Sequence, residues 1–287
     1  MLYAAPVSQR LRDWQTGFNE LHRNHFKSVI SFVPTPIGNR ADITLRAIDV
    51  LKSADLIACE DTRHSRPLLK HHGIDRPLLS LHDHNEAQRI EELISKAKEG
   101  LQIAAISDAG MPLISDPGYR LLQACIEQEI PYTVLPGPSA VLTALAGSGL
   151  PCHSFRFDGF LPVKKGKRRK SLEAATLSQT TAIFFESPHR IVSTIEMLAE
   201  ISPNIRVCVA RELSKKFETY HRDTALNLLN QFQAKPPKGE IVLLIDGCSN
   251  AWHCSHCYHY CSTSCVFFFR ALFSLLVIHS TLVDIFV

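Results

Sequence analysis

Three loops rich in proline and glycine carry the residues best suited to hold a ligand. They are segments 34–39 (PTPIGN), 107–118 (SDAGMPLISDPG) and 136–140 (PGPSA). Glycine lets a ligand approach the backbone closely, and proline stiffens a loop before binding. Asp108 and Asp116 add carboxylates, which favour a polar or cationic ligand. Turn chemistry alone explains any single loop, but three together favour a binding site.

Each of the three loops follows an apolar run that predicts a β-strand. Between Val29 and Leu150, short apolar runs alternate with helix-like segments, the pattern of a parallel α/β sheet. Open sheets of this kind bind ligands outside the carboxyl ends of their strands, so we expect one shared pocket there. The predicted strands are 29–33, 56–59, 77–81, 102–106 and 132–135.

A helix is predicted between the third and fourth of these strands. Asn85 and Gln88 have the spacing of a capping box, and apolar residues follow at helical spacing from Ile90 to Ala97. Gly100 supplies a C-terminal stop.

The small, proline-ended segment 147–151 predicts a linker between an N-terminal α/β domain, 29–150, and a C-terminal α/β domain, 151–247. In the second domain, Ser187-Pro188 is interpreted as the N-cap and first residue of a helix. The strands predicted there are 182–185, 206–210 and 241–245.

Composition and two absent motifs exclude several classes of protein. With 287 residues, 45% hydrophobic and 21% charged, the chain has the composition of a globular protein of about two domains. The net charge of +3 is too small to indicate nucleic acid by itself. There is no P-loop sequence, and Gly147-Ser148-Gly149 lacks the third glycine and the preceding strand of a Rossmann fingerprint.

Residues 1–28 are expected to be a disordered N-terminal extension outside the fold. This segment mixes basic residues with Asp13 and Glu20 and has no apolar core, which excludes a secretory signal and disfavours a transit peptide. The cysteines of the two domains lie scattered in apolar stretches, which predicts buried, reduced thiols and a cytoplasmic protein. These cysteines are Cys59, Cys125, Cys152 and Cys208.

Eight sequence blocks in a fixed order carry a resemblance to a known family. From Phe32 to about Asp246 the chain resembles the ribosomal RNA small subunit methyltransferase I family of the tetrapyrrole methylase superfamily. The blocks are PTPIGN, SDAGMPLISDPG, LPGPSA, 59–63 (CEDTR), 82–86 (HDHNE), 185–190 (FESPHR), 210–215 (ARELSK) and 238–240 (KGE).

The resemblance implies two α/β domains of the tetrapyrrole methylase type with an S-adenosylmethionine cleft between them. Members usually act as homodimers on the ribose 2′-hydroxyl of a cytidine in the decoding region of 16S rRNA, within the small ribosomal subunit. The loops suit that cofactor, because N–H groups of Gly110 and Ala140 would hold its carboxylate and Asp108 would favour its sulfonium. The implied cofactor-binding residues are Pro36, Gly38, Asp108, Ala109, Gly110, Met111, Pro112, Ser115, Asp116, Pro138, Ser139, Ala140 and Glu186.

Removal of the ribose proton calls for a base, which the spacing leaves open. The candidates in matched blocks are Glu60, Asp61, Glu186, His189, Glu212 and Lys215. His82 and His84 lack a third ligand at a useful interval, so helix capping and surface hydrogen bonding are favoured over a metal site.

Six of the seven residues from Lys164 to Lys170 are basic. A charge run is usually a solvated face, but this one opens the second domain and matches a basic segment of the family, which favours phosphate contacts. The implied RNA-binding residues are Arg63, Lys164, Lys165, Lys167, Arg168, Arg169 and Lys170.

The tail, residues 248–287, departs from the family. It holds five of the nine cysteines, but Cys254-x-x-Cys257 has no second pair at zinc-site spacing. The 17 residues from Ala271 onward are too short for a clear membrane span and include His279 and Asp284. We therefore expect neither a metal site nor a membrane anchor, and interpret the tail as foreign to the family, as after a shifted reading frame.

Two other functions stay open at this point. One is a C-methyltransferase acting on a corrin precursor, which the basic run and the blocks around Arg63 and His189 disfavour. The other is a catalytically impaired RNA-binding relative that keeps the fold but, with the atypical tail, does not present substrate.

Overall fold

The computed structural model of the chain describes residues 29–82 and 85–248. The predictions for the N-terminal extension, for His84 and for the tail beyond Cys248 lie outside the described residues. Within the described residues, no helix has the length and apolar character needed to cross a membrane.

Five parallel strands form the first sheet. They are β1 (Ile30–Val33), β2 (Leu56–Cys59), β3 (Leu78–Ser80), β4 (Ile103–Ile106) and β5 (Tyr132–Val134). The sheet order is β3-β2-β4-β1-β5, and the apolar strands β1, β2 and β4 are buried along their full length. Complete burial is typical of a parallel sheet with helices on both faces.

Helices alternate with these strands and cover both faces of the sheet. They are α1 (Leu45–Ser53), α2 (Thr62–His71), α3 (Glu86–Lys98), α4 (Tyr119–Glu127) and α5 (Ala140–Ser148). Leu93 and Leu121 of α3 and α4 join the apolar cluster on one face, and Leu51 and Leu69 of α1 and α2 join the cluster on the other. The carboxyl ends of the strands therefore remain as the open edge.

The second sheet is mixed. Its strands are β6 (Phe155–Phe160), β7 (Thr181–Glu186), β8 (Arg206–Arg211), β9 (Thr219–Thr224) and β10 (Ile241–Asp246), in the order β6-β7-β10-β8-β9. Only the β6–β7 pair is parallel among them. Residues of α6 (Lys165–Thr176), α7 (Ile191–Ile201) and α8 (Ala225–Ala234) form the core on one face.

Helix α5 joins the two sheets. Its residues Ala144 and Leu145 lie in one apolar cluster with Cys208 and Leu244 of the second sheet. The Arg222 Nε donates to the Ser148 carbonyl oxygen at 3.0 Å, at the carboxyl end of the helix. A cation at that end complements the helix dipole, so the contact fixes α5 against the second sheet.

The predicted strands are present, each with ends within one residue of the prediction. Three details are wrong. The Asn85 side chain does not cap its helix, because its Oδ1 accepts the His82 N–H instead. Ser187 is not an N-cap, because its carbonyl closes a turn and α7 begins only at Ile191. Cys152 is exposed, because it lies in the loop before β6 rather than in an apolar element.

Candidate active site at the junction of the two sheets

The 107–118 loop is held in a strained conformation against the end of β1. Leu113 and Ser115 have φ values of 73° and 64°, which residues other than glycine rarely adopt. Gly110, with φ of 84°, pairs with Thr35, and each N–H donates to the other residue's carbonyl oxygen at 2.9 Å. Such strain persists only where surrounding contacts enforce it, and it concentrates at functional sites.

The Thr35–Gly110 pair corrects one detail of the predicted cofactor contacts. Because the Gly110 N–H already donates to Thr35, it is not available for a ligand carboxylate. The amino end of α5 is the alternative donor. Ser139 caps this helix by accepting the Leu142 N–H, and the first-turn N–H groups from Ala140 onward have no intrahelical acceptor.

Glu86 fixes the far end of the loop, a role that the sequence did not reveal. Its carboxylate is 6% exposed; Oε1 accepts the Gly118 N–H at 3.3 Å, and Oε2 lies 3.5 Å from Arg120 Nε. Glu86 belongs to the HDHNE block, but its partner Gly118 lies 32 residues away, so no local pattern connects the two.

Three carboxylates face one another beside this loop. The Asp108 Oδ1 accepts the Asp61 N–H at 3.3 Å, which places it at the end of β2. Burial, followed by the negative charges of Glu60 and Asp108, raises the pKa of Asp116 to about 6. Glu60 also lines a small cavity at the strand ends together with Ser107 and Pro112. Asp116 is thus able to exchange a proton close to neutral pH.

Asp61 and Arg63 form an exposed pair. Arg63 Nε and Nη2 donate to the two carboxylate oxygens of Asp61 at 3.1 and 2.9 Å, and the Arg63 side chain is 90% exposed. Hydrogen bonds from the Arg63 side chain and backbone lower the pKa of Asp61 to about 2. Asp61 is therefore ionised and poorly suited to accept a proton near pH 7.

Glu186 is buried and its carboxylate is fully engaged. Oε1 accepts the Ser187 N–H at 2.7 Å and lies 2.5 Å from Arg190 Nη2. Oε2 accepts the Thr194 hydroxyl at 2.8 Å. These contacts hold the corner between β7 and α7, whereas His189 in the same block is exposed. The geometry favours a structural role for Glu186.

The 210–215 segment brings a second strained loop to the junction. Glu212 and Ser214 have φ values of 50° and 63°. Lys215 Nζ lies 3.0 Å from Glu240 Oε2 and 3.5 Å from Glu212 Oε1. The Glu240 backbone N–H holds the pKa of Glu212 below its ordinary value. Burial lowers the pKa of Lys215, but Glu240 and Glu212 more than offset this, so Lys215 stays cationic.

An open pocket of about 480 Å³, the junction pocket, lies between the first-sheet loops and the 214–218 turn. Its wall combines hydroxyl groups, two carboxylates and apolar side chains. The lining residues are Ile37, Asp42, Thr44, Gly137, Pro138, Ser139, Leu142, Thr143, Ser214 and Glu218. A concave site of this size suits a small molecule or a single nucleotide.

The other predicted cofactor residues lie on the same loops but differ in exposure. Gly38, Ala109 and Ser115 are exposed, Pro36, Met111 and Pro138 are half-buried, and Pro112 is buried. The structure therefore brings the three loops to one edge, as predicted. Pro112 faces inward and contributes to packing of the loop.

The basic run forms the first turns of α6, and its members differ. Lys164, Lys165, Lys167 and Lys170 are exposed, whereas Arg168 is only 4% exposed. Arg169 Nη1 donates to Glu200 Oε2 at 2.8 Å, and its Nε donates to Glu173 Oε1 at 3.1 Å. The prediction that all six contact RNA is thus at odds with the burial of Arg168, because sequence spacing puts that residue on the inner face of the helix.

The chain is similar to known methyltransferases both in sequence and in fold. Residues 29–228 match the family model described as tetrapyrrole (corrin/porphyrin) methylases. A diphthine synthase structure has a TM-score of 0.61 at 13% identity, covering 76% of this chain and 89% of that one. A cobalt precorrin-4 methyltransferase structure has a TM-score of 0.59 at 14% identity, covering 77% and 95%.

Curated relatives are much closer in sequence. The ribosomal RNA small subunit methyltransferase I of Escherichia coli O157:H7 is 49% identical over 218 residues, 75% of this chain and 76% of the relative. The protein of the same name from Hydrogenobaculum sp. is 48% identical over 74% of this chain and 93% of the relative. The chain therefore belongs to the tetrapyrrole methylase family and, within it, to the group of the ribosomal RNA small subunit methyltransferases I.

Proposed function

We propose that the chain is an S-adenosylmethionine-dependent methyltransferase that methylates the ribose 2′-hydroxyl of a cytidine in the decoding region of 16S rRNA. The observation that carries the proposal is that two strained loops, 107–118 and 210–215, both contact the 34–39 loop, in a chain 49% identical to a named small-subunit rRNA methyltransferase. Gly110 pairs with Thr35, and Lys215 lies against Gly38. We further propose that it acts in the cytoplasm as a homodimer, as the family resemblance implies.

The charges at the junction fit a zwitterionic cofactor with a cationic sulfonium. Asp108 and Asp116 offer negative charge beside the loop, and the amino end of α5 offers N–H groups to a carboxylate. Bound there, S-adenosylmethionine would supply an electrophilic methyl group. The rigid loops position the reactants, and positioning can provide a large part of the acceleration of a methyl transfer.

Asp116 is the proposed proton acceptor. The ribose hydroxyl loses its proton as the methyl arrives, and a base works best when its pKa is near the working pH. A pKa of about 6 satisfies this condition for Asp116, whereas the pKa of Asp61 is about 2 and that of Glu212 is lowered. Glu186 is enclosed by its own partners, and Lys215 is held as a cation. A carboxylate oxygen of Asp116 would take the proton.

Two sets of exposed cations support an RNA substrate. The α6 lysines are exposed, and the Arg63 side chain, in the first turn of α2, is 90% exposed. Phosphate contacts from such cations give an affinity that falls with salt concentration. This charge pattern is less useful for a corrin precursor than for a ribosomal substrate.

The test is methyl incorporation into purified small ribosomal subunits from a strain that lacks this methyl group. The full chain and radiolabelled S-adenosylmethionine should label the 16S rRNA, and nuclease digestion followed by mass spectrometry should identify 2′-O-methylcytidine. A base-methylated product would contradict the proposal. Binding of S-adenosylmethionine and of subunits without any labelling would instead indicate the catalytically impaired relative.

A further inference from the structure

We propose that the junction pocket and the 214–218 turn form a binding subsite for one ribonucleotide of the RNA substrate, which adjoins the methyl-donor site at Pro138 and Ser139. This proposal rests on the proposed function and names the part of the chain that recognises the RNA strand beside the target. The evidence is the lining of the pocket, the conformation of the turn and the exposure of Phe217.

The pocket lies apart from the acidic loop. No residue of the 107–118 loop lines it, whereas α1, α5 and the 214–218 turn supply Thr44, Thr143 and Ser214. The site therefore lacks the carboxylates of Asp108 and Asp116 that suit a sulfonium. It offers instead a ring of hydroxyl groups beside two carboxylates.

The two carboxylates are arranged to accept further hydrogen bonds. Ser214 donates its hydroxyl to Asp42 Oδ2, and its N–H to Glu218 Oε2 at 2.6 Å. Within the described residues, the second oxygen of each carboxylate makes no hydrogen bond, although both residues line the pocket. Ribose hydroxyls are donors that carboxylates accept, so the pair favours a ribonucleotide over a deoxyribonucleotide.

The turn is pre-organised for this role. Ser214 is held at a φ of 63°, and the neighbouring Lys215 is tied to Glu240 at 3.0 Å. These contacts fix the direction in which Ser214 and Glu218 reach the pocket. A rigid polar site binds with a smaller loss of conformational entropy than a mobile one.

Phe217 supplies a surface for base stacking. Its side chain is 62% exposed, and Lys216 Nζ lies 5.6 Å from the centre of its ring. An exposed aromatic ring beside a cation is the pairing that single-stranded RNA sites use, with the base on the ring and the phosphate on the cation. Phe217 directly precedes Glu218 of the pocket, so one nucleotide in the pocket would bring a neighbouring base within reach.

The experiment measures binding without methyl transfer. The full chain is titrated into a fluorescent twelve-residue oligoribocytidylate and into the matching oligodeoxyribocytidylate, and S-adenosylhomocysteine is titrated separately by calorimetry. Phe217→Ala should weaken the binding of both oligonucleotides by roughly tenfold and leave the affinity for S-adenosylhomocysteine unchanged. Phe217→Trp should retain affinity. Phe155→Ala, which removes another exposed phenylalanine, should have no effect on either oligonucleotide.

Asp42→Asn tests the ribose contact. It should weaken the binding of the ribo-oligonucleotide by roughly fivefold and leave the binding of the deoxyribo-oligonucleotide unchanged. The ratio of the two affinities, which measures the preference for RNA, should therefore fall. Unchanged affinity of Phe217→Ala for both oligonucleotides would overturn the proposal. So would weaker S-adenosylhomocysteine binding by Asp42→Asn with unchanged RNA binding, which would assign the pocket to the cofactor.

The same wild-type preparation is assayed for methylation of small subunits. Wild-type chain that binds the oligonucleotides through Phe217 and Asp42 but labels no rRNA would leave the subsite standing and overturn the proposed function. If the wild type labels rRNA but neither substitution changes oligonucleotide binding, the proposed function stands and the subsite is overturned.

Discussion

Lys215, in the loop after the second-sheet strand β8, lies directly against Gly38, in the loop after the first-sheet strand β1. A Cβ atom on Gly38 would overlap Lys215 Cγ and lie 2.9 Å from the Leu213 carbonyl oxygen. The two loops meet this closely only because residue 38 has no side chain. The PTPIGN and ARELSK blocks, which are 176 positions apart at their first residues in the chain, thus form one structural unit at the junction.

Gly38→Ala should therefore push the loops apart. We expect the free energy of unfolding to fall by about 1–2 kcal/mol, the usual range for an overpacked contact, and S-adenosylhomocysteine to bind more weakly. Gly166→Ala is the matched control, because that glycine has open space around its Cα. Urea denaturation and calorimetry measure the two effects. Equal behaviour of the two variants would contradict the close approach at Gly38.

Glu186 should prove to be a structural carboxylate. Replacement by alanine removes the partner of Arg190 and Thr194 at the corner between β7 and α7. It should cost about 3 kcal/mol of stability, because a charge buried with its partner is left uncompensated. Thr194→Val, which removes one hydrogen bond, should cost about 1 kcal/mol.

The hypothesis that Glu186 is the catalytic base makes a different prediction. If Glu186 were the base, Glu186→Gln would abolish methyl transfer at temperatures where the protein is fully folded and would remove the acidic limb of the pH profile. We expect instead that the folded Glu186→Gln protein keeps the pH profile of the wild type.

The sequence predicted the buried part of the fold well and its edges poorly. The apolar runs of β1, β2, β4 and β10 have a single reasonable interpretation, because each is buried along its whole length. The edge strands β6 and β9 were missed. Their sequences, FRFDGF and TYHRDT, mix charged with aromatic residues, and none of these residues is buried, so pairing with a neighbour rather than local pattern makes them strands.

The same limit applies to the site. Loop composition predicted which segments would meet, but the choice between a free and an engaged side chain depends on distant partners. Glu186 is enclosed by a residue eight positions later, and Arg169 is paired with Glu200. The raised pKa of Asp116 likewise arises first from burial and then from the charges of Glu60 and Asp108, all of which depend on the folded structure.

The ionised carboxylate of Asp116 should lower the stability of the folded chain while it serves as the proton acceptor. Burial and two neighbouring carboxylates raise its pKa from 3.8 to about 6, so the folded chain binds a proton more tightly than the unfolded chain. The contribution of Asp116 to the stability of the wild type should therefore fall as pH rises from about 4 to 6, because ionisation of Asp116 disfavours the folded state.

Asp116→Asn should remove this penalty. Above pH 6 the variant should be more stable than the wild type by on the order of 1 kcal/mol, a figure reduced for the partial exposure of the side chain, and the difference should vanish near pH 4. Methyl transfer should fall by at least about 100-fold, the usual effect of losing a general base. Thermal melts across pH and single-turnover rates measure the two effects. Full activity with the predicted stabilisation would rule out Asp116 as the proton acceptor.

The α6 cations should divide into those that contact RNA and those that hold the helix. Lys165, Lys167 and Lys170 are exposed, whereas Arg169 is paired with Glu173 and Glu200. Replacing the three lysines by glutamine should reduce the slope of log affinity against log salt by about two, at roughly 0.7 per phosphate contact on single-stranded RNA. Arg169→Gln should leave the slope unchanged and cost less than about 1 kcal/mol of stability, as expected for exposed ion pairs. Fluorescence anisotropy between low and moderate salt measures the slopes. A slope that is unchanged in the triple variant would show that the lysines form only a solvated face, and an equal loss in Arg169→Gln would show that its ion pairs open when RNA binds.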